Sequence, residues 1–180
     1  MVWFTSDTHF GHANIIKYCK RPFNNVDEMN QTIINNWNTV VAPEDEVYHL
    51  GDLAFFNKNE KLTEMISQLN GTKYLIIGNH DKYSKGMFYK SGFSSVINGP
   101  IKYCNFLLSH VPAEFGNNKC KANIHGHIHD NKKEYFLNGK NIYYNVSVEW
   151  HNYTPIKFKT IQEYYNAGSR SSSAGRASHL

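Results

Sequence analysis

Five short apolar runs in this chain each end at side chains that can bind a metal ion. The run at residues 47–50 is followed by Gly51 and then by the carboxylate of Asp52. Such a run is typical of a buried strand, and glycine at its end lets the backbone turn or approach another group closely. The other four runs have the same form, and they end at Asp7-Thr8-His9, Gly78-Asn79-His80-Asp81, His110 and Gly126-His127-Ile128-His129. Because open α/β sheets bind ligands at the carboxyl ends of their strands, the five ends predict one site.

The first half of the chain alternates strands and helices. Strands are predicted at residues 2–6, 47–50 and 74–77. Between them lie two helices with apolar residues at helical spacing, one over residues 26–41 and one that stops near Gly71. The order strand, helix, strand, helix, strand predicts parallel strands that are joined by crossover helices.

The second half is richer in strands. These are predicted at residues 94–97, 101–109, 122–125, 134–137 and 142–148. Thr154-Pro155 then predicts the start of a last helix, which ends near Asn166. Residues 167–180 have no apolar period and are rich in serine, glycine and arginine. We therefore predict one domain over residues 1–166 and a tail over residues 167–180 that is disordered or comes from an expression vector.

Composition limits the kinds of binding partner and the cellular compartment that we expect for this protein. The formal net charge of +4 includes Arg170 and Arg176 of the predicted tail, so it says little about partners. No basic run with interleaved aromatic residues marks a dedicated nucleic-acid surface. No stretch reaches the length of a membrane span and no secretory signal is recognisable, so we expect no membrane partner. Cys19, Cys104 and Cys120 are odd in number and widely spaced, which favours reduced thiols in a cytoplasm.

The five strand ends are more specific together than any one of them is alone. In sequence and order, residues 7–9, 51–52, 78–81, 110 and 126–129 resemble the calcineurin-like metallophosphoesterases. The resemblance runs from about Trp3 to His129. It implies an α/β fold, a four-layer α/β/β/α sandwich in which two mixed sheets are flanked by helices. Small single-domain members of this family occur in bacteria and their phages, which implies the cytoplasm of a bacterium or of a phage-infected host.

The resemblance also implies a dinuclear metal centre. It places one ion on Asp7, His9, Asp52 and His129 and the other on Asp52, Asn79, His110 and His127, with Asp52 as the bridge. Imidazole nitrogens and carboxylate oxygens suit divalent Mn, Fe, Zn, Co or Ni, and we expect Mn²⁺. The absence of thiolate ligands argues against a structural zinc site. Two ions against two carboxylates leave a positive charge that attracts a phosphate anion.

Hydrolysis of a phosphoester is the activity that the resemblance implies. The reaction we expect is in-line attack on phosphorus by a hydroxide that would bridge the two metals, without a covalent enzyme intermediate. His80 is not a metal ligand in the family pattern and would protonate the leaving oxygen, while Asp81 would orient its imidazole. The expected substrate is a small phosphoester or a nucleotide. The physiological substrate and the oligomeric state stay open.

Two further residues are candidates for binding the substrate phosphate. His12 lies three residues beyond His9 and could face the phosphate, although a surface histidine is an equally good interpretation. Arg21 could clamp an anion through two parallel hydrogen bonds, although its place before Pro22 also fits a solvated turn.

The residues after Asp52 indicate which class of phosphoester the protein prefers. In protein phosphatases with this pattern the motif continues to an Asp-Arg-Gly, whereas here Leu53-Ala54-Phe55-Phe56 follows. Without that arginine we expect a phosphodiesterase, with a phosphomonoesterase of the same fold as the alternative. A non-catalytic metal-binding scaffold is less favoured because no expected ligand is missing. A DNA nuclease of the superfamily usually has added DNA-binding segments, for which this chain has no room.

Overall fold

Two five-stranded sheets form the centre of the protein. The structure is a computed structural model that describes residues 1–114, 120–131, 134–137 and 141–174. The first sheet contains β1 (Val2–Thr5), β2 (Glu46–His49), β3 (Thr72–Ile76), β4 (Phe93–Ile97) and β10 (Ile156–Lys157). The second contains β5 (Ile101–Tyr103), β6 (Phe106–Leu108), β7 (Ala122–His125), β8 (Glu134–Leu137) and β9 (Asn141–Asn145). The helices are α1 (Ala13–Tyr18), α2 (Val26–Val40), α3 (Asn59–Ser67), α4 (Lys85–Lys90) and α5 (Phe158–Ala174), with a 3₁₀ turn at Val148–His151.

The first sheet has the order β10-β1-β2-β3-β4. Strands β1 to β4 are parallel, and β10 lies antiparallel to β1 at the edge. The parallel pairing predicted for the first half of the chain is therefore confirmed, with α2 and α3 as the crossover helices. Because these four strands run in the same direction, their carboxyl ends lie at one edge of the sheet.

The second sheet is mixed, with the order β5-β6-β7-β9-β8. Strands β6, β7 and β9 are parallel, and β5 and β8 are antiparallel at the two edges. The strand predicted over residues 101–109 is divided by a turn at Cys104, whose φ of +51° ends β5. The predicted α/β sandwich is confirmed, since both sheets are mixed and helices flank them.

Helix α2 shows how the local sequence sets a helix boundary. The side chain of Asn25 accepts a hydrogen bond from the Glu28 N–H at 2.9 Å, which satisfies one of the free donors of the first turn. The buried face of α2 includes Met29, Ile33 and Trp37, which pack in the same core cluster as the first sheet. The predicted helix over residues 26–41 is confirmed within one residue.

The first sheet is buried on both faces. Trp3 of β1 belongs to the core between this sheet and helices α2 and α3, whereas its neighbour Phe4 belongs to a second core. In that second core Phe4 and Ile76 of the first sheet meet Leu108 and Ile124 of the second sheet. Successive side chains of a strand point to opposite faces, so one sheet serves two cores.

The last helix differs from its prediction at both ends. It begins at Phe158, after the site expected at Thr154-Pro155, because Ile156–Lys157 first pair with β1 as strand β10. It continues to Ala174, past the end expected near Asn166, since helical hydrogen bonding propagates readily once a helix has formed. Residues 175–180 of the predicted tail lie outside the described residues. Neither α5 nor any other helix in the described ranges is long and apolar enough to cross a membrane.

Candidate metal centre

The predicted strand ends meet at the edges of the two sheets that face each other. The Asp7 N–H donates to the Gly51 carbonyl at 3.0 Å, which joins the ends of β1 and β2. The Gly126 N–H donates to the His110 carbonyl at 3.0 Å, which joins the ends of β6 and β7. A third bond runs from the His127 N–H to Asp7 Oδ2 at 2.9 Å and links the two sheets.

One group of candidate ligands consists of Asp7, His9 and His129. Each offers a ligand atom within 4.8 Å of the others. Asp7 and His9 are buried, and His129 Nε2 lies 4.0 Å from Asp7 Oδ1. The family resemblance assigns these three residues, together with Asp52, to the first ion.

A second group consists of Asp52, His110 and His127, with Asn79 beside them. His110 Nε2 lies 3.4 Å from Asp52 Oδ2, 3.2 Å from His127 Nδ1 and 2.9 Å from Asn79 Oδ1. Two ligands bound at about 2.1 Å to one tetrahedral ion are separated by about 3.4 Å. The distances from His110 to the other three side chains are therefore close to those between ligands of a single cation.

One oxygen atom connects the two groups. Asp52 Oδ2 lies 3.6 Å from His9 Nε2 and 3.4 Å from His110 Nε2. The other oxygen, Oδ1, accepts the backbone N–H of His80 at 2.9 Å. The carboxylate is thereby oriented with Oδ2 toward both groups.

Five candidate ligands have a strained backbone. Asp7, His9, Asp52, His127 and His129 have φ values between +47° and +72°. Non-glycine residues rarely adopt this left-handed conformation, which costs about 1–3 kcal/mol at each position. Strain of this kind persists where the surrounding structure enforces it and is concentrated at functional sites.

Two glycines allow these turns to approach each other. A Cβ atom at Gly78 would overlap the carboxylate and the backbone nitrogen of Asp52. A Cβ atom at Gly126 would overlap the hydroxyl of Ser6 and the carboxylate of Asp7. Any side chain at either position would push the turn away from the candidate ligand that it contacts.

Hydrogen bonds on the far side of two imidazoles fix which nitrogen faces the site. His110 Nδ1 lies 2.8 Å from the Leu50 carbonyl, which bonds only a protonated nitrogen, so Nε2 is the nitrogen that faces the other candidate ligands. His129 Nδ1 lies 3.0 Å from Glu149 Oε1, which leaves His129 Nε2 toward Asp7. An imidazole bound to a metal typically has a partner of this kind.

Burial and neighbouring charges shift the pKa values of several side chains in the site. Burial raises the pKa of Asp7 and lowers the pKa of His9 to about 2, so His9 carries the neutral imidazole that a metal requires. Burial alone would lower the pKa of His129, but hydrogen bonds with Cys19 and Glu149 and the charge of Asp7 raise it to about 10. Its imidazole thus lies in a strongly negative field.

Two buried atoms of the first group test whether the site fits a cation. Among the described residues, neither Asp7 Oδ1 nor His9 Nε2 has a hydrogen-bond partner. Asp7 Oδ2, in contrast, accepts the Ser147 hydroxyl at 2.8 Å as well as the His127 N–H. A buried polar atom without a partner costs about 1–3 kcal/mol, and both atoms are of the types that bind divalent cations. The donor set therefore fits a metal ion.

His80 is at the open side of the site. Its side chain is exposed, its ring lies 5.8 Å from the His9 ring, and its backbone N–H is held by Asp52. This position allows the imidazole to reach a bound substrate from solvent.

Asp81 does not have the position that the sequence suggests. Its Oδ2 accepts the N–H groups of Gly78 and Asp52 at 2.8 Å and 2.9 Å, and its Oδ1 accepts the Leu53 N–H at 2.9 Å. Both oxygens are thus directed at backbone groups and not at the His80 imidazole. Asp81 holds the turns that carry Asp52 and Asn79, which corrects the expected orienting role.

Arg21 is buried, and its guanidinium is bound within the protein. Nη2 donates to Glu149 Oε1 at 2.6 Å and to the Asp7 carbonyl at 2.6 Å, and Nη1 donates to the Thr8 carbonyl at 2.9 Å. Arg21 therefore holds Glu149, which in turn holds His129, and it does not face the open side where a substrate would bind. This corrects its expected use as an anion clamp.

His12 lies beside the site and half-buried. Its ring is 5.4 Å from the His9 ring and stacks on Phe55 at 4.8 Å. Its Nδ1 has no hydrogen-bond partner among the described residues. The position is compatible with the expected contact to a substrate phosphate.

Sequence reasoning missed two residues that complete the site. Ser147 binds Asp7 Oδ2, and Glu149 binds His129 and Arg21. A signal was present, because Ser147 follows the apolar end of β9 just as the other site residues follow their strands.

Cys19 also lies near His129 and Glu149. A cation among these three would be repelled by the Arg21 guanidinium on Glu149.

Comparisons with known proteins agree with this geometry. The sequence model of a family described as calcineurin-like phosphoesterase matches residues 1–167. An uncharacterized protein of Methanocaldococcus jannaschii is 44% identical over 171 residues, which are 93% of this chain and 92% of that protein. A protein of unknown function from Aquifex aeolicus has a crystal structure with a TM-score of 0.70 and 31% identity, covering 91% of this chain and 98% of that one. The nuclease MPE of Pseudomonas putida shares the fold at a TM-score of 0.50 and 19% identity, over 77% of this chain and 65% of that one.

Proposed function

The chain belongs to the calcineurin-like phosphoesterase family, and we propose that it is a phosphodiesterase with a dinuclear metal centre. Metal-dependent hydrolysis of phosphoesters is the activity that the family implies. The number of ions, the ligand of each ion and the preference for diesters are the parts that we propose from this chain's own residues.

The position of Asp52 Oδ2 is the observation that carries the proposal. This atom lies within 3.6 Å of His9 and 3.4 Å of His110, which belong to different groups of candidate ligands. A carboxylate oxygen in this position would serve two cations at once. Asp7, His9 and His129 would complete the first coordination sphere, and Asn79, His110 and His127 would complete the second. The nitrogen and oxygen donors suit Mn²⁺, Fe, Zn, Co or Ni, of which we propose Mn²⁺.

Two such ions would supply Lewis acidity toward the phosphoryl oxygens and would lower the pKa of a bound water molecule. The chain's own residues do the rest. The negative charges of Asp52 and Asp7 would hold the ions, and Glu149 and Leu50 fix the rings of His129 and His110 through hydrogen bonds. His80, on the open side, donates a proton to the leaving oxygen of the ester.

The proposed preference for diesters depends on how the protein would bind the third non-bridging oxygen, which a phosphomonoester has and a phosphodiester lacks. A phosphomonoester dianion requires additional positive charge there, typically from an arginine with two parallel hydrogen bonds. Arg21, the arginine nearest to the candidate ligands in sequence, is buried and bound to Glu149. A diester monoanion requires less positive charge, and its poor leaving group is the problem that His80 addresses. The expected substrates are small phosphodiesters, including the diesters of nucleotides.

The compartment follows from the thiols. Cys19, Cys104 and Cys120 are free in the structure, which suits a reducing cytoplasm.

The experiment is a comparison of two chromogenic esters with the Mn²⁺-loaded protein at one pH. We expect a higher kcat/KM for bis(p-nitrophenyl) phosphate than for p-nitrophenyl phosphate. An equal or higher value for the monoester would contradict the proposed preference and point to His12 as the residue that binds the third oxygen.

A further inference from the structure

Two neighbouring phenylalanines beside the candidate metal centre have different surroundings. Phe56 packs on Gly11, where a Cβ atom would overlap its ring. Phe55, the next residue toward Asp52, has 44% of its surface exposed. A single exposed aromatic side chain is ordinary on a protein surface. The position of Phe55 relative to the proposed proton donor is what makes it notable.

The Phe55 ring lies between two histidines of the open side. It stacks on His12 with the ring centres 4.8 Å apart and an interplanar angle of 25°. It meets His80 edge-on with the ring centres 6.5 Å apart. Although His12 covers one face of its ring, Phe55 keeps 44% of its surface exposed and lines a cleft together with His80.

The segment that carries Phe55 is held rigidly. Its N–H donates to the Phe10 carbonyl at 2.7 Å. The Tyr83 hydroxyl accepts the N–H of Phe56 and donates to the carbonyl of the same residue, both at 2.8 Å. Leu53, two residues earlier, is held by Asp81. An aromatic ring on a fixed backbone binds a flat ligand without paying a large ordering entropy.

A cleft of about 200 Å³ opens beside this ring. It is lined by Phe55, Phe56, His80 and Tyr83, with Lys82 at its side. Lys82 donates to the Asn79 carbonyl at 2.8 Å and has further N–H groups for a polar ligand. The cleft therefore combines aromatic walls with a cation, and it begins at the residue proposed to protonate the leaving group.

We propose that Phe55 and this cleft form a subsite that stacks the nucleobase on the leaving-group side of a nucleotide phosphodiester. The inference rests on the proposed function, because His80 defines which side of the phosphate the leaving group occupies. Stacking on an aromatic ring accepts any base, because every base has a π-face. The Phe55 and His80 rings are in edge contact, with their centres 6.5 Å apart, so a base stacked on Phe55 would lie next to the imidazole proposed to protonate the leaving oxygen.

The test measures binding and not turnover. Dissociation constants of adenosine 5′-monophosphate and of ribose 5-phosphate, which lacks only the base, are determined by calorimetry with the Mn²⁺-loaded protein. We expect the nucleotide to bind tighter by on the order of tenfold, as expected for one stacked base. In Phe55→Leu, which keeps an apolar side chain without a ring, the two constants should become nearly equal. Phe55→Tyr should keep most of the difference.

Tyr89→Leu is the matched control. Tyr89 is another exposed aromatic residue, at 48%, on helix α4, where its hydroxyl contacts the backbone of β4 and not the cleft. This variant should keep the preference for the nucleotide. Equal binding of the two ligands by the wild type, or a preference that survives Phe55→Leu, would overturn the subsite. Failure to bind either ligand would also overturn it.

The same protein samples separate this inference from the proposed function. A base preference that depends on Phe55, in a protein that fails to hydrolyse bis(p-nitrophenyl) phosphate, would refute the activity and leave the subsite standing. Hydrolysis of that diester without any base preference would support the activity and refute the subsite.

Discussion

Asp81 and Asp52 are joined by a hydrogen bond in which Asp81 Oδ2 accepts the Asp52 N–H at 2.9 Å. The same carboxylate accepts the N–H groups of Gly78 and Leu53. The turn that holds Asp52 is thus fixed against the turn that holds Asn79. These bonds contribute to holding Asp52 at its strained φ of +56°.

Replacement of Asp81 should destabilise the fold and not only slow the reaction. In Asp81→Asn, the amide group would place donors against a backbone donor, and at least one buried N–H would lose its acceptor. We expect a loss of roughly 1–3 kcal/mol in the free energy of unfolding, measured by urea denaturation. Glu163→Gln on the exposed face of α5 is the control and should change little. A stable Asp81→Asn protein that lost turnover alone would restore the orienting role of Asp81 toward His80.

His80→Ala should retain metal and lose turnover. The side chain is exposed and belongs to neither group of candidate ligands. We expect a fall in kcat of about a hundredfold to ten-thousandfold, as is common for a lost general acid. The fall should be smaller for diesters whose leaving group needs no proton. Metal analysis of the variant decides the alternative, because reduced occupancy would make His80 a ligand.

Glu149 should contribute stability that depends on pH. Burial alone would raise its pKa, but the hydrogen bond with His129 and the charge of Arg21 lower the pKa to about 2. Because the folded-state pKa is below the unfolded value of 4.5, the contribution is present above pH 4.5 and is lost as the pH falls toward 2. We expect metal-free Glu149→Gln to be less stable than wild type by up to about 3 kcal/mol near neutral pH.

The measurement is urea denaturation of both metal-free proteins at several pH values. The difference in unfolding free energy should shrink as the medium becomes more acidic. A difference that stayed constant over the whole range would show that the ionisation of Glu149 does not stabilise the fold.

The domain boundary at residue 166 remains our proposal. Removal of residues 168–180 would leave Phe158 and Ile161 in place, and both are buried in the core between the sheets. We expect an unchanged melting temperature and unchanged activity. A decrease of several degrees would show that the end of the chain packs on the domain.

The arrangement of the site could be predicted because its residues follow strands directly. Asp7 and Asp52 lie just beyond β1 and β2, and parallel strands bring their carboxyl ends together whatever the loops between them do. His110 and His127 follow β6 and β7 in the same way. Periodicity was therefore enough to place each side chain at the carboxyl end of a strand, although it did not show that the strands belong to two sheets.

Contacts between distant segments could not be predicted. Arg21 and Glu149 are separated by 128 residues, and the sequence around Arg21 reads equally well as a solvated turn. Asp81 follows His80 directly, yet the turn points its carboxylate back at Gly78 and Asp52. The start of α5 was misplaced because β1 had a free edge that Ile156–Lys157 could pair with, and a local helix signal carries no information about that edge.

The most direct test of the dinuclear centre is the amount of Mn²⁺ bound per chain by wild type, Asp52→Asn and Asn79→Ala after equilibrium dialysis. Asparagine at position 52 keeps an oxygen for the His80 N–H, so the local fold should be retained. The account predicts two ions in the wild type, weakened binding of both in Asp52→Asn with loss of activity, and weakened binding of only one in Asn79→Ala. Two tightly bound ions in Asp52→Asn, with activity near that of the wild type at saturating Mn²⁺, would contradict it.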